Sequence, residues 1–242
     1  MPAFFQRLGL LLMIDCAAGA KKQASALNLG DATLLVLDGL VDDGMQIARV
    51  ELAKDADVNI EIEADDGSKG TPLAVAIHTM ATSKEDHAVG LLRLLLAHTK
   101  ADVNKPLTSP VGSTMPPLLL AMTVVSAGVP AGLEIAKLLL AREDIQVNAA
   151  SASVSGPSTL APLHMALAAA ARGMEAGFEL TEALLSRSEI DVEVKMVGPD
   201  GEPMTPLMKL TAMLQERPDD ENLKRLQTML EASAATRKKD EL

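Results

Sequence analysis

Four Pro-Leu pairs, Pro72-Leu73, Pro117-Leu118, Pro162-Leu163 and Pro206-Leu207, stand 45, 45 and 44 residues apart in this chain. Val58-Asn59, Val103-Asn104, Val147-Asn148 and Val192-Glu193 recur at 45, 44 and 45 residues, and Gly67, Gly112, Gly156 and Gly201 keep the same register. Three independent landmarks in one phase define an internal repeat. A repeat of this length restricts the chain to architectures in which each unit hides its apolar face against the next.

The chemistry of one unit is legible. Thr71-Pro72 sets a capping hydroxyl before a proline at the first helical position, where the missing N–H costs nothing, and Thr205-Pro206 repeats the device. A helix is expected from Leu73 to Thr82, a polar break at Ser83-Lys84-Glu85-Asp86, and a second helix from Ala88 to His98. Leu94-Leu95-Leu96 sweeps roughly 200° of that second helix, so it needs cover on more than one side. Leu138-Leu139-Leu140 and Ala183-Leu184-Leu185 stand at equivalent places. Asp66-Gly67 and Asp200-Gly201 are turn dipeptides. The expected fold class is all-α, an α-solenoid of about five stacked helix-turn-helix units with extended finger loops over residues 21–236.

Composition narrows the function. Of 242 residues, 48% are hydrophobic but only three are aromatic, Phe4, Phe5 and Phe178, so no aromatic platform for stacking bases or sugars can be built. A net charge of -11 disfavours nucleic acid and anionic lipid as partners. The single cysteine, Cys16, allows neither an internal disulfide nor a multi-cysteine zinc site. No apolar run reaches the ~18 residues a membrane-spanning helix needs.

Thr71-Pro72-Leu73-Ala74, Ala161-Pro162-Leu163-His164 and Thr205-Pro206-Leu207-Met208, each followed by an apolar helix pair, resemble the ankyrin-repeat signature. The strings Leu94–Ala97 through Ala101–Asn104, and Ala53–Asn59, are similar to the family's second helix running into its finger. The resemblance covers about residues 26–232. The period departs from it, since ankyrin repeats are about 33 residues long. Only the fourth unit keeps the histidine, and Pro116-Pro117-Leu118-Leu119 lacks the threonine.

The resemblance implies a non-enzymatic protein–protein interaction scaffold without a cofactor. It also implies exposed inner positions at the fingertips and six to eight residues past the helix-opening proline. These are Asp65, Asp66, Ser68, Lys69, His78 and Thr79 in one unit, then Ser113 and Thr123, then Ser155, Ser158 and Ala169, then Asp200 and Glu202. The acidic balance points to a basic protein partner.

The two ends carry targeting signals. Arg7, the apolar stretch Leu8–Ile14 and Ala18-x-Ala20 resemble a secretory signal peptide, with an N-terminal capping helix as the alternative for residues 1–20. Residues 237–242 form a tail ending in Lys239-Asp240-Glu241-Leu242, the tetrapeptide read by the endoplasmic-reticulum retrieval receptor. Together they point to residence in the endoplasmic reticulum lumen, against the alternative of a cytosolic adaptor or secreted effector of the same fold.

A third alternative is a small hydrolase or metal-dependent enzyme. His78, His87, His98 and His164 show no metal-ligand spacing, and no phosphate-cradling glycine loop or nucleophile elbow is present. Glu61, Glu63, Asp65 and Asp66 form an acidic finger whose spacing is not that of an EF-hand.

Overall fold

The computed structural model describes residues 27–83, 86–154, 160–197 and 203–240, with side chains through residue 237. It is mostly helical, with a small antiparallel sheet. Among the described residues, ten helices fall into five pairs: α1 (Leu29–Leu37) and α2 (Val41–Ala53), α3 (Pro72–Ser83) and α4 (Val89–Leu96), α5 (Pro117–Ser126) and α6 (Ala131–Leu140), α7 (Pro162–Ala171) and α8 (Glu175–Leu185), α9 (Pro206–Glu216) and α10 (Glu221–Asp240).

Helix starts follow local chemistry. Asn28 caps α1 in a reciprocal box with Asp31. The Thr71 hydroxyl accepts from the Ala74 N–H at 3.2 Å, and that of Thr205 from the Met208 N–H at 3.3 Å. Helices α5 and α7 open on Pro117 and Pro162 without a side-chain cap, because Pro116 and Ala161 replace the threonine.

Packing runs in two rows. The first helices of successive pairs touch in the order α1, α3, α5, α7, α9, and the second helices in the order α2, α4, α6, α8, α10. Leu95 of α4 and Leu139 of α6 are completely buried between their neighbours, and Leu94 and Leu138 are half-buried. The leucine triplets are thus covered from more than one side. In three pairs a glycine stands where the second helix crosses the first: Gly44, Gly132 and Gly177. A Cβ built on Gly177 would lie 2.2 Å from the Ala170 backbone nitrogen, and one on Gly132 2.6 Å from that of Val125.

Among the described residues, three of the fingers contain short antiparallel strand pairs. Strands β1 (Ile62–Glu63) and β2 (Lys69–Gly70) pair, as do β3 (Leu107–Thr108) and β4 (Thr114–Met115), and Lys69 meets Thr108 to join the two hairpins into one four-stranded sheet. A bridge from Thr114 to Ala152 reaches the third finger. Strands β5 (Met196–Val197) and β6 (Pro203–Met204) pair separately in the fourth. Gly67 and Gly112 sit at φ of +83° and +86°, the left-handed conformation that each hairpin turn requires and glycine adopts without strain.

The tail assigned to residues 237–242 is helical as far as Asp240 as part of α10. Arg237 anchors that helix by donating to the Leu185, Arg187 and Ser188 carbonyls.

Candidate functional site

The first finger and the helix beneath it bring four of the sequence-predicted residues to one place. A groove of about 350 Å³ lies between Leu34 and Leu37 of α1 and His78 and Thr79 of α3, with Asp65 and Asp66 reaching over it. His78 Nε2 lies 2.8 Å from Asp66 Oδ2, while the Ser68 N–H donates to Asp66 Oδ1 at 2.9 Å. Partial burial pushes the Asp66 carboxyl up, but the Ser68 N–H and His78 together outweigh it and hold the group below the usual carboxylate range. Lys69 is exposed and pairs with Glu63 at 3.4 Å.

Two predicted contact residues are not available at the surface. Ser68 is buried, because it occupies the inward end of the hairpin turn and its carbonyl accepts from the Ala64 N–H. Ala169 is also buried, since the tight crossing of α7 with α8 covers that side of α7. Ser113 and Thr123 are half-buried, their polar groups engaged locally with Ser109 and the Leu120 carbonyl. Ser155, Ser158, Asp200 and Glu202 lie outside the described residues, as do residues 1–20, Glu241 and Leu242. Lys239 and Asp240 belong to the last turn of α10.

A second and larger groove, about 590 Å³, opens between α7 and α9, where the two helices make much less contact than α3 and α5 do. Leu167, Leu210 and Met213 supply its apolar wall, and Arg172, Lys209 and Arg217 its cations. His164 lines it too, 2% exposed, with neither ring nitrogen in a well-formed hydrogen bond among the described residues. Burial and the nearby Lys209 charge lower its pKa to about 4, against smaller raising influences from the Val194 backbone and Asp191. The ring is therefore neutral at pH 7.

Comparison with protein-family models and with curated proteins returns no match.

Among the described residues, no group of three His, Cys, Asp or Glu side chains is placed to hold a metal ion, and no helix is long and apolar enough to cross a membrane.

The recurring Val-Asn landmark has a role the sequence reading left unassigned. Asn59 donates to the Lys100 carbonyl at 2.8 Å and accepts from the Asp102 N–H at 2.7 Å. Asn104 does the same with Asp144 and Gln146, and Asn148 with Glu189 and Asp191. Each asparagine staples its finger to the next one. Arg142 and Arg187 form a parallel series, each donating to carbonyls at the end of the preceding second helix while holding Asp144 or Glu189. On the outer row, Arg93 meets Glu134, Lys137 meets Glu179, and Arg225 meets Glu182. Recurrence of Asn59, Asn104 and Asn148 was the available signal; the arginines carried one too, at a spacing of 45.

Proposed function

We propose that this chain is a non-enzymatic protein–protein interaction scaffold, a stack of five ankyrin-like helix pairs whose fingertips and first helices receive a partner. The observation that carries the reading is the asparagine staple, made three times between adjacent fingers in one geometry. A bond repeated at a fixed interval builds a quasi-one-dimensional stack whose fingertip side chains vary without cost to the core. The solenoid arrangement and the ankyrin likeness are also supported by helix rows that touch in sequence order and by the Thr-Pro-Leu helix starts.

The partner surface of this reading is the groove under the first finger, with Asp65, Asp66, His78 and Thr79. An apolar floor beneath carboxylates suits a basic side chain with an aliphatic stem, so the partner is a basic protein segment. No cofactor is needed for such a role. Residence in the endoplasmic reticulum lumen, with the retrieval receptor as a second partner, belongs to the same proposal and is supported by the Lys239–Leu242 tetrapeptide.

The testing experiment is a pull-down from lumen extract, with wild type and a combined Asp65, Asp66 and His78 alanine variant as baits. A partner lost from the variant and competed by salt is the expected result. Identical partner profiles from the two baits would remove this surface from consideration. Staining of the full chain with and without its last four residues tests the location, and a diffuse cytosolic pattern in both would defeat it.

A further inference from the structure

The groove between α7 and α9 has a charge balance opposite to that of the whole chain. The chain carries -11, and most cations in the described residues are held by carboxylates, as Arg93, Lys100 and Arg187 are. Arg217 is neutralised by Asp220 at 3.1 Å, and that carboxylate also accepts the Asn222 and Leu223 N–H groups at the start of α10. Arg172 and Lys209 are different. Their recorded hydrogen-bond partners among the described residues are poor acceptors: the Ser126 hydroxyl at 3.4 Å and the Met174 sulfur for Arg172, and the Met196 sulfur for Lys209. Two cations with no carboxylate partner among the described residues thus face one cavity, whose lining carboxylate, Asp220, is held by Arg217.

A second observation comes from the wall of the same cavity. His164 is almost wholly buried there, and among the described residues its ring nitrogens are the only buried side-chain polar atoms without a well-formed hydrogen bond, their nearest polar neighbour being the Val194 backbone. Burying a polar group without a well-formed hydrogen bond is unfavourable, so an acceptor brought into the groove would relieve it. The apolar wall of Leu167, Leu210 and Met213 and a volume of about 590 Å³ match a small organic ligand rather than a single inorganic ion.

We propose that the groove between α7 and α9 binds a small aliphatic carboxylate, its chain on Leu167, Leu210 and Met213 and its anionic head at Lys209 and Arg172. This site, between α7 and α9, is separate from the first-finger groove between α1 and α3 and stands independently of the scaffold reading. Carboxylate recognition here needs both parts: the cations select the head, and the apolar wall excludes hydrophilic anions such as free phosphate.

The test uses the full chain with its methionine methyl groups isotopically labelled, titrated with octanoate, with octan-1-ol, and with the peptide acetyl-Leu-Glu-Leu-amide. The Met213 methyl and the His164 ring signals report binding, with Met213→Leu assigning the first. Octanoate is expected to shift both saturably and to bind at least about tenfold tighter than octanol, as one charge-assisted contact supplies. The double variant Lys209→Gln and Arg172→Gln should melt as wild type does and bind the two eight-carbon probes equally. The exposed single variant Arg172→Gln should reduce the preference in part, which keeps the test informative if the double variant is unstable. Equal binding of octanoate and octanol by wild type, an unchanged preference in the folded variants, or shifts produced by the peptide and not by octanoate would each overturn the proposal.

Discussion

The Asp66 carboxylate at a fingertip lies 2.8 Å from Nε2 of His78 on helix α3, which ties the finger to the helix below it. The Asp66 side chain is half exposed, so water screens the pair and its share in stability is small. Asp66→Asn should leave the stability nearly unchanged, within about 0.5 kcal/mol. The same substitution should weaken binding of a basic partner and flatten its salt dependence. Calorimetric melting beside a binding titration at two salt concentrations checks both.

The asparagine staple is a stability device. Asn104→Ala removes two hydrogen bonds and leaves the Asp144 carbonyl and Gln146 N–H to water, which costs about 1–2 kcal/mol. The loss should appear at the junction of the second and third fingers, as faster amide exchange at Gln146. Unchanged exchange there would mean the staple holds nothing.

Helix crossings should be intolerant of added volume. Gly177→Ala forces a methyl group against the Ala170 backbone, where neither side can yield as a flexible side chain would, and should cost about 1–3 kcal/mol or more. At exposed Gly90, a Cβ would meet only the end of Met45, and alanine there should be neutral or stabilising by about 0.5–1 kcal/mol. Urea titrations of the two variants side by side distinguish them.

Burial of His164 gives stability a pH dependence. Its folded pKa of about 4 lies below the ordinary 6.5, so above pH 6.5 the ring is neutral in both states and carries no penalty. As pH falls from 6.5 towards 4, the unfolded chain takes up a proton that the folded chain refuses, and stability is lost by on the order of 2–3 kcal/mol. His164→Gln should flatten that window, read by chemical denaturation at pH 7 and pH 5. An identical slope in the variant would assign the loss to other groups.

Leu95→Ala should cost about 2–5 kcal/mol, because the side chain is fully enclosed and its neighbours belong to rigid helices that close only partly over the cavity. A fingertip substitution such as Lys69→Ala, by contrast, should stay within about 0.5 kcal/mol.

The sequence by itself determined the unit. Pro72, Pro117, Pro162 and Pro206 each open a helix, the leucine triplets mark the buried second helices, and Asp66-Gly67 makes a hairpin turn, because caps, prolines and glycines act over a few residues. What the chain order could not disclose depends on contacts between units some 45 residues apart. The pairing of Lys69 with Thr108 turned two fingers into one sheet, and the inward end of the turn buried Ser68. The spacing past Pro162 selects Ala169 as a surface position, yet the approach of Gly177 covers it. Likewise, Arg172 and Lys209 are unremarkable in the chain and meet at one groove only because α9 stands off from α7. Local propensity is written in neighbouring residues, whereas exposure and charge convergence are set by how the helices cross.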